Sequence, residues 1–101
     1  MERGPNDKLS AEEVTASLSK LPTGWEFSEK DNAIEKDFTR HDFIDSVNFI
    51  QSIAELAEEA DHHPDLLLHD YKKVRVILTT HSAGGITQND FDLAKAIDLI
   101  A

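Results

Sequence analysis

The apolar residues of this chain change period at Asp42, and that change decides what it can fold into. From Ala33 to Arg40 the pattern reads as an extended segment, with Ile34 and Phe38 on one face. From Asp42 to about Ala60, Phe43, Val47, Ile50, Ala54 and Ala57 recur at three- and four-residue spacing, flanked by Ile53 and Leu56. Asp45, Asn48, Gln51, Glu55 and Glu58 fall on the other side. A side-chain period of two is a strand and one of about 3.6 is a helix, so a strand hands over to a long helix here. Asp61-His62-His63-Pro64 must stop that helix, because the residue before a proline is pushed out of helical geometry. Lys73 to Thr80 then returns to period two and is rich in branched side chains, the strongest strand in the chain. Its alternation sets Val74, Val76, Leu78 and Thr80 on one face and Arg75, Ile77, Thr79 and His81 on the other.

The remaining elements fall around these. Ser10 and Glu13 have the spacing of a capping box, which predicts a first helix with Val14, Leu18 and Leu21 as its stripe, ended by Pro22-Thr23-Gly24. Trp25-Glu26-Phe27 alternates like a short strand, and Lys30-Asp31-Asn32 turns it into the strand from Ala33, a hairpin. Leu66 to Asp70 predicts a brief third strand with a turn near Tyr71-Lys72. After Gly84-Gly85, Thr87 can cap a last helix with Asp90 at its third position and Phe91, Ala94, Ile97 and Ala101 at helical spacing. The order α-β-β-α-β-β-α predicts an α+β fold, a four-stranded antiparallel sheet with three helices packed on one face. Residues 1–9 are polar and predict a flexible N-terminal arm, with residues 10–101 as a single domain.

Length and charge narrow the function. A chain of 101 residues holds one domain. Twenty acidic against ten basic residues give a net charge of −10, a field that opposes direct contact with nucleic acid or anionic membrane. Cysteine is absent, which excludes disulfides, thiolate catalysis and sulfur-ligated metal. Met1 to Lys8 lacks the apolar core of a secretory signal, and no apolar run approaches the ~20 residues that span a bilayer. The cytoplasm is the expected compartment.

Chemistry concentrates in Glu58-Glu59-Ala60-Asp61-His62-His63-Pro64 and in His81 at the end of the strongest strand. Imidazole titrates near neutrality, so three histidines in reach of one another suit proton transfer or metal binding. A zinc ion could take three imidazoles, but adjacent histidines in extended backbone point in opposite directions, and the H-E-x-x-H helix spacing is missing. Acid–base work fits better, since two imidazoles on opposite walls of a pocket can supply both proton transfers without a cofactor. Glu58, one turn before His62, could accept from an imidazole or bind a substrate amine. Asp90 could fix a histidine tautomer and hold its charged form, or it could serve only the first turn of its helix.

These residues resemble a known family. Glu58-x-x-x-His62-His63-Pro64, Tyr71, Thr80-His81 and Asp90, with Gly24-Trp25, Ala33-Ile34, Phe38, Asp42-Phe43 and Asp90-Phe91-Asp92-Leu93-Ala94, look like the signature of pterin-4a-carbinolamine dehydratases over nearly the whole chain after Ser10. The resemblance implies a four-stranded antiparallel sheet with three helices on one side. The implied reaction is dehydration of a 4a-hydroxytetrahydropterin to the quinonoid dihydropterin, which recycles the pterin after aromatic amino-acid hydroxylases have used it. The pterin is then the substrate and no cofactor is needed. The resemblance further implies that His62 and His81 are the acid–base pair, that His63 positions the pterin, that Trp25 lies in the pocket wall where an indole can pack on the heterocycle, and that Glu58 and Asp90 support them. The chain departs from the family pattern at Leu66-Leu67-Leu68, where relatives often carry an aromatic residue, and at Ser82-Ala83-Gly84-Gly85.

Family members pair edge to edge into homodimers, and some dimers join through the long helix into homotetramers. Some animal members bind a homeodomain transcription factor, so a protein-binding module is a second class of function, and a silent assembly scaffold a third. His41 is expected as a capping or surface residue and His69 as exposed. Tyr71 is expected to pack at a strand end, and the leucine triplet to serve core or subunit contact.

Overall fold

In the computed structural model, which describes residues 4–101, the elements follow the expected order. They are α1 (Ala11–Leu18), β1 (Glu26–Ser28), β2 (Ala33–Thr39), α2 (Phe43–Ala60), β3 (Asp65–His69), β4 (Lys73–Leu78), a 3-10 turn over His81–Ala83, and α3 (Gln88–Ile100). The starts of the helices obey local chemistry. Ser10 Oγ accepts from Glu13 N–H while Glu13 Oε1 accepts from Ser10 N–H, the expected box. Asp42 Oδ1 caps α2 by accepting from Asp45 N–H at 2.8 Å. The arm expected over residues 1–9 lies in part outside the described residues (1–3); at its other end Leu9 is buried and its N–H donates to Ile86 O at 2.8 Å.

All pairings are antiparallel, and the strand order is β1-β2-β4-β3. The register sets Ile34 opposite Leu78, Phe38 opposite Val74, and Leu66 and Leu68 opposite Val76 and Val74. Cross-strand partners share a face, so these side chains form the inner face that the helices cover. Ile34, Val74, Val76 and Leu78 are fully buried, with Ile53, Phe91, Ala94 and Ile97 from α2 and α3 closing over them. The outer face is polar. Arg75 donates to both oxygens of Asp37, at 2.9 and 3.2 Å. Those bonds hold the Asp37 carboxyl below the usual aspartate range and raise Arg75.

Four expectations are corrected. The buried face of α2 is Ser46, Phe49, Ile53 and Ala57, with Ile50 and Leu56 packed at its margin. Phe43 and Val47 are 53% and 45% exposed, and Ala54 is exposed as well. The helix is rotated from the expected stripe because Phe49 packs edge-on against Phe38, ring centroids 5.2 Å apart. His69 is half-buried rather than exposed, with Nε2 3.2 Å from Asp37 Oδ1. Tyr71 is 59% exposed and packs at no strand end; with Asp70 it takes positive φ in the β3–β4 turn. Lastly, β4 stops at Leu78, since Thr79 Oγ1 turns to Asn32 O and Thr80 bridges Gly85. The leucine triplet splits, Leu66 and Leu68 packing on the core while Leu67 stays 47% exposed.

Candidate active site

The end of α2 aims His62. Asp61 adopts the left-handed conformation, φ 50° and ψ 43°, and its N–H closes on the last carbonyls of the helix. An aspartate tolerates that region better than most side chains. His62 N–H then donates to Ala57 O at 3.0 Å, which folds the chain back over the last turn. Its ring meets the start of α3, where His62 Nε2 lies 2.5 Å from Asp90 Oδ1. The His62 side chain is 14% exposed and that of Asp90 is 0% exposed.

Asp90 serves both roles that its position allows. Oδ2 accepts from Thr87 N–H at 2.9 Å, which satisfies an amide at the start of the helix. The same oxygen accepts from Thr80 Oγ1 at 2.9 Å. Oδ1 is left for the imidazole. With Asp90 ionised, its oxygens can only accept, so His62 Nε2 carries a proton and the lone pair of the neutral ring is on Nδ1. That nitrogen can take a proton from a ligand.

His63 and Glu58 form a separate couple, Nε2 to Oε2 at 2.5 Å, with both side chains exposed. Glu58 therefore serves His63, not His62. His81 opens the 3-10 turn and is exposed. The register brings the histidines to one end of the sheet, because Asp65 pairs with Ile77, putting the chain before β3 beside the chain after β4. Thr80, next to His81, shares the Asp90 carboxylate with His62. Among the described residues, no group of three or more His, Asp or Glu side chains is arranged to hold a metal ion.

Trp25 bonds to α3 and packs on β2. It is 7% exposed, its indole N–H donates to Asp98 Oδ2 at 2.7 Å, and it packs edge-on against Phe38. Asp98 is about two helical turns beyond Asp90 on α3. Lys36 Nζ completes that knot, 2.8 Å from Asp98 Oδ1.

A cleft of about 350 Å³ opens between α2 and α3 beside His62, lined also by Leu56, Glu59, Asn89, Asp92 and Leu93. Apolar walls with a few polar groups are the usual make-up of a small-molecule site. A second hollow, about 280 Å³, lies by α1 and β1 near Val14, Phe27 and Ile86 and contains none of the histidines. The cleft residues Asn89 and Asp92 and the roles of the Thr80 and Thr87 hydroxyls escape a reading by histidine spacing; the sequence marks Thr87 only as a helix cap, and Thr80 and Asp92 only as part of the family signature.

A small α+β domain with a buried carboxylate set against an imidazole, beside a cleft, is the class of protein that the fold and the site define. Comparison with known proteins narrows the class. The family model for pterin 4 alpha carbinolamine dehydratase matches residues 7–100, and the chain belongs to that family. Curated relatives named for this dehydratase include one from Picosynechococcus sp., 47% identical over 90% of this chain and 95% of its own length. Another, from Sulfurisphaera tokodaii, is 48% identical over 90% and 94%. The crystal structure of a transcriptional coactivator/pterin dehydratase from Brucella melitensis is similar with a TM-score of 0.86 at 34% identity, covering 94% of this chain and 99% of that one.

Proposed function

We propose that the chain dehydrates a 4a-hydroxytetrahydropterin, 4a-hydroxytetrahydrobiopterin or a close relative, to the quinonoid dihydropterin and water by histidine acid–base catalysis. The bond from carbon 4a to the hydroxyl oxygen breaks as that oxygen gains a proton. The adjacent ring N–H loses its proton, and its electrons form the new carbon–nitrogen double bond. His62 and His81 are the acid–base pair, His63 with Glu58 positions the pterin, and the pterin is the substrate, with no cofactor. The observation that carries this reading is the pairing of His62 with the buried Asp90, which orients one ring nitrogen as a base. No helix among the described residues is long and apolar enough to cross a membrane, and the cytoplasm is the proposed compartment.

Stopped-flow absorbance of 4a-hydroxypterin decay tests the proposal. The protein should accelerate decay, with a bell-shaped pH profile whose limbs belong to the coupled histidine cluster. Exhaustive chelation should leave the rate unchanged, because imidazole can carry both proton transfers. Decay no faster than in buffer would sink the dehydratase reading; activity lost to chelator and restored by zinc would replace imidazole catalysis with a metal.

Assembly follows from two surfaces. The three-residue β1 and five-residue β3 are the sheet edges, and exposed edges seek partners. Phe43, Ile44 and Val47 stand 53%, 71% and 45% exposed along α2. We propose a homodimer through a sheet edge and a homotetramer through α2. The coactivator named for the Brucella melitensis neighbour makes the same helix face the candidate contact for a protein partner. Light scattering on the protein should give at least a dimer; a monomer at micromolar concentration would remove the edge contact.

A further inference from the structure

We propose that Thr80, backed by Thr87, is a positioning residue for the His62–Asp90 pair and couples the placement of His62 to that of His81. The catalytic meaning rests on the dehydratase reading, while the coupling stands on the geometry alone. Asp90 Oδ2 takes two donors, the Thr80 hydroxyl and the Thr87 N–H, each at 2.9 Å. A carboxylate is planar, so fixing Oδ2 from two directions fixes where Oδ1 points, and Oδ1 meets His62 Nε2. Thr80 has one hydroxyl proton, and it goes to Asp90. The 2.9 Å contact between the two threonine hydroxyls is therefore donated by Thr87. The result is a directed chain of hydroxyls ending on a buried anion, in which each bond polarises the next.

The cap of α3 does not need the Thr80 hydroxyl, because Asp90 Oδ2 already accepts from the Thr87 N–H at the start of the helix. Thr80 is also held rigidly. Its N–H donates to Gly85 O at 3.0 Å, Gly85 N–H donates back to Thr80 O at 3.3 Å, and Gly84 closes the intervening turn at φ 78°. That positive φ suits glycine. His81 is the first residue inside this closed turn, so the hydroxyl that aims Asp90 and the backbone that carries His81 move as one body. The charged groups that share the cleft with His62 are Glu59 of α2 and Asp92 of α3; the neighbouring chain carries the exposed His63–Glu58 couple, and the closed turn carries His81, with the Lys8 side chain passing Gly85.

The test is a ring-nitrogen NMR titration of His62 alongside stopped-flow kinetics on the full chain, comparing Thr80→Val, Thr80→Ser and Thr87→Val. The two donors stabilise the pair more when it carries its net negative charge than after it takes up a proton. Removing the Thr80 hydroxyl should therefore move the midpoint of proton uptake up by about one pH unit, the scale of one bond to a charged group. Thr80→Ser should restore the parent midpoint. Thr87→Val, which keeps its N–H, should shift it the same way but less. In the kinetics, the acidic limb of the pH profile should move with the midpoint in Thr80→Val, and turnover should fall several-fold with little change in KM. A folded Thr80→Val with the parent midpoint would overturn the inference; if that variant does not fold, an unshifted Thr87→Val would overturn it. A shifted midpoint in a protein that dehydrates no pterin would keep the coupling and sink the function proposed above.

Discussion

Replacing His62 by alanine should slow dehydration of a 4a-hydroxypterin by about a hundredfold or more, the usual scale for a general acid or base, and His81→Ala should do the same. The sharper variant is Asp90→Asn. Its carbonyl oxygen would stay where Thr80 and Thr87 donate, leaving the amide nitrogen facing His62. An amide donates, so His62 Nε2 would have to accept, and the ring proton would move to Nδ1. The group that faces the ligand would change from base to donor without a change in shape. Asp90→Asn should therefore lose turnover on the same order as His62→Ala while its melting temperature falls far less than a core deletion requires. His63→Ala should raise KM more than it lowers turnover, because its couple with Glu58 is exposed. Stopped-flow kinetics on the four variants decides the matter. Full turnover in both His62→Ala and His81→Ala would show that neither imidazole moves the protons.

The parts of this fold that were legible from the sequence are those governed by near neighbours. Ser10 with Glu13 and Thr87 with Asp90 announce helix starts because each cap lies within one turn of the amides it serves; at α2 the cap is Asp42, and His41, expected as a capping or surface residue, is exposed. The hairpin β3–β4 was legible for a similar reason, as was the alternation of Val74, Val76 and Leu78, which one buried face enforces. Which side of α2 packs inward was not legible. Its apolar residues are spread widely around the helix, and the choice of Phe49 over Val47 depends on Phe38, a residue of β2. The partner of Trp25 is Asp98, 73 residues away, and no local pattern joins them. In the site, His62 and Asp90 stood out because a histidine and a carboxylate are chemically distinctive. The hydroxyl contacts of Thr80 and Thr87 did not, since a hydroxyl acquires that role only when the end of β4 meets the start of α3.

The largest stability effect is expected at Phe91. It follows Asp90 on α3, is 1% exposed, and lies in the same buried cluster as Ile34 and Val76 of the sheet and Ile53 of α2. Deleting a buried aromatic ring loses its transfer energy and leaves a cavity that the neighbours fill only in part, at a cost of about 3–5 kcal/mol. Domains of this size have only about 5–15 kcal/mol in total. Each kcal/mol shifts the melting point by roughly 4–8 °C in a domain of this size. Phe91→Ala should therefore melt at least about 12 °C below the parent, measured at equal protein concentration because assembly also contributes. Leu99→Ala, on the same helix but at a residue 86% exposed, should stay within about 0.5 kcal/mol of the parent. The comparison separates packing of α3 from its mere helicity, since both variants substitute alanine in one helix. If Phe91→Ala melts within a few degrees of the parent, the buried face of α3 is not what holds the first turn of that helix, and with it Asp90, against the sheet.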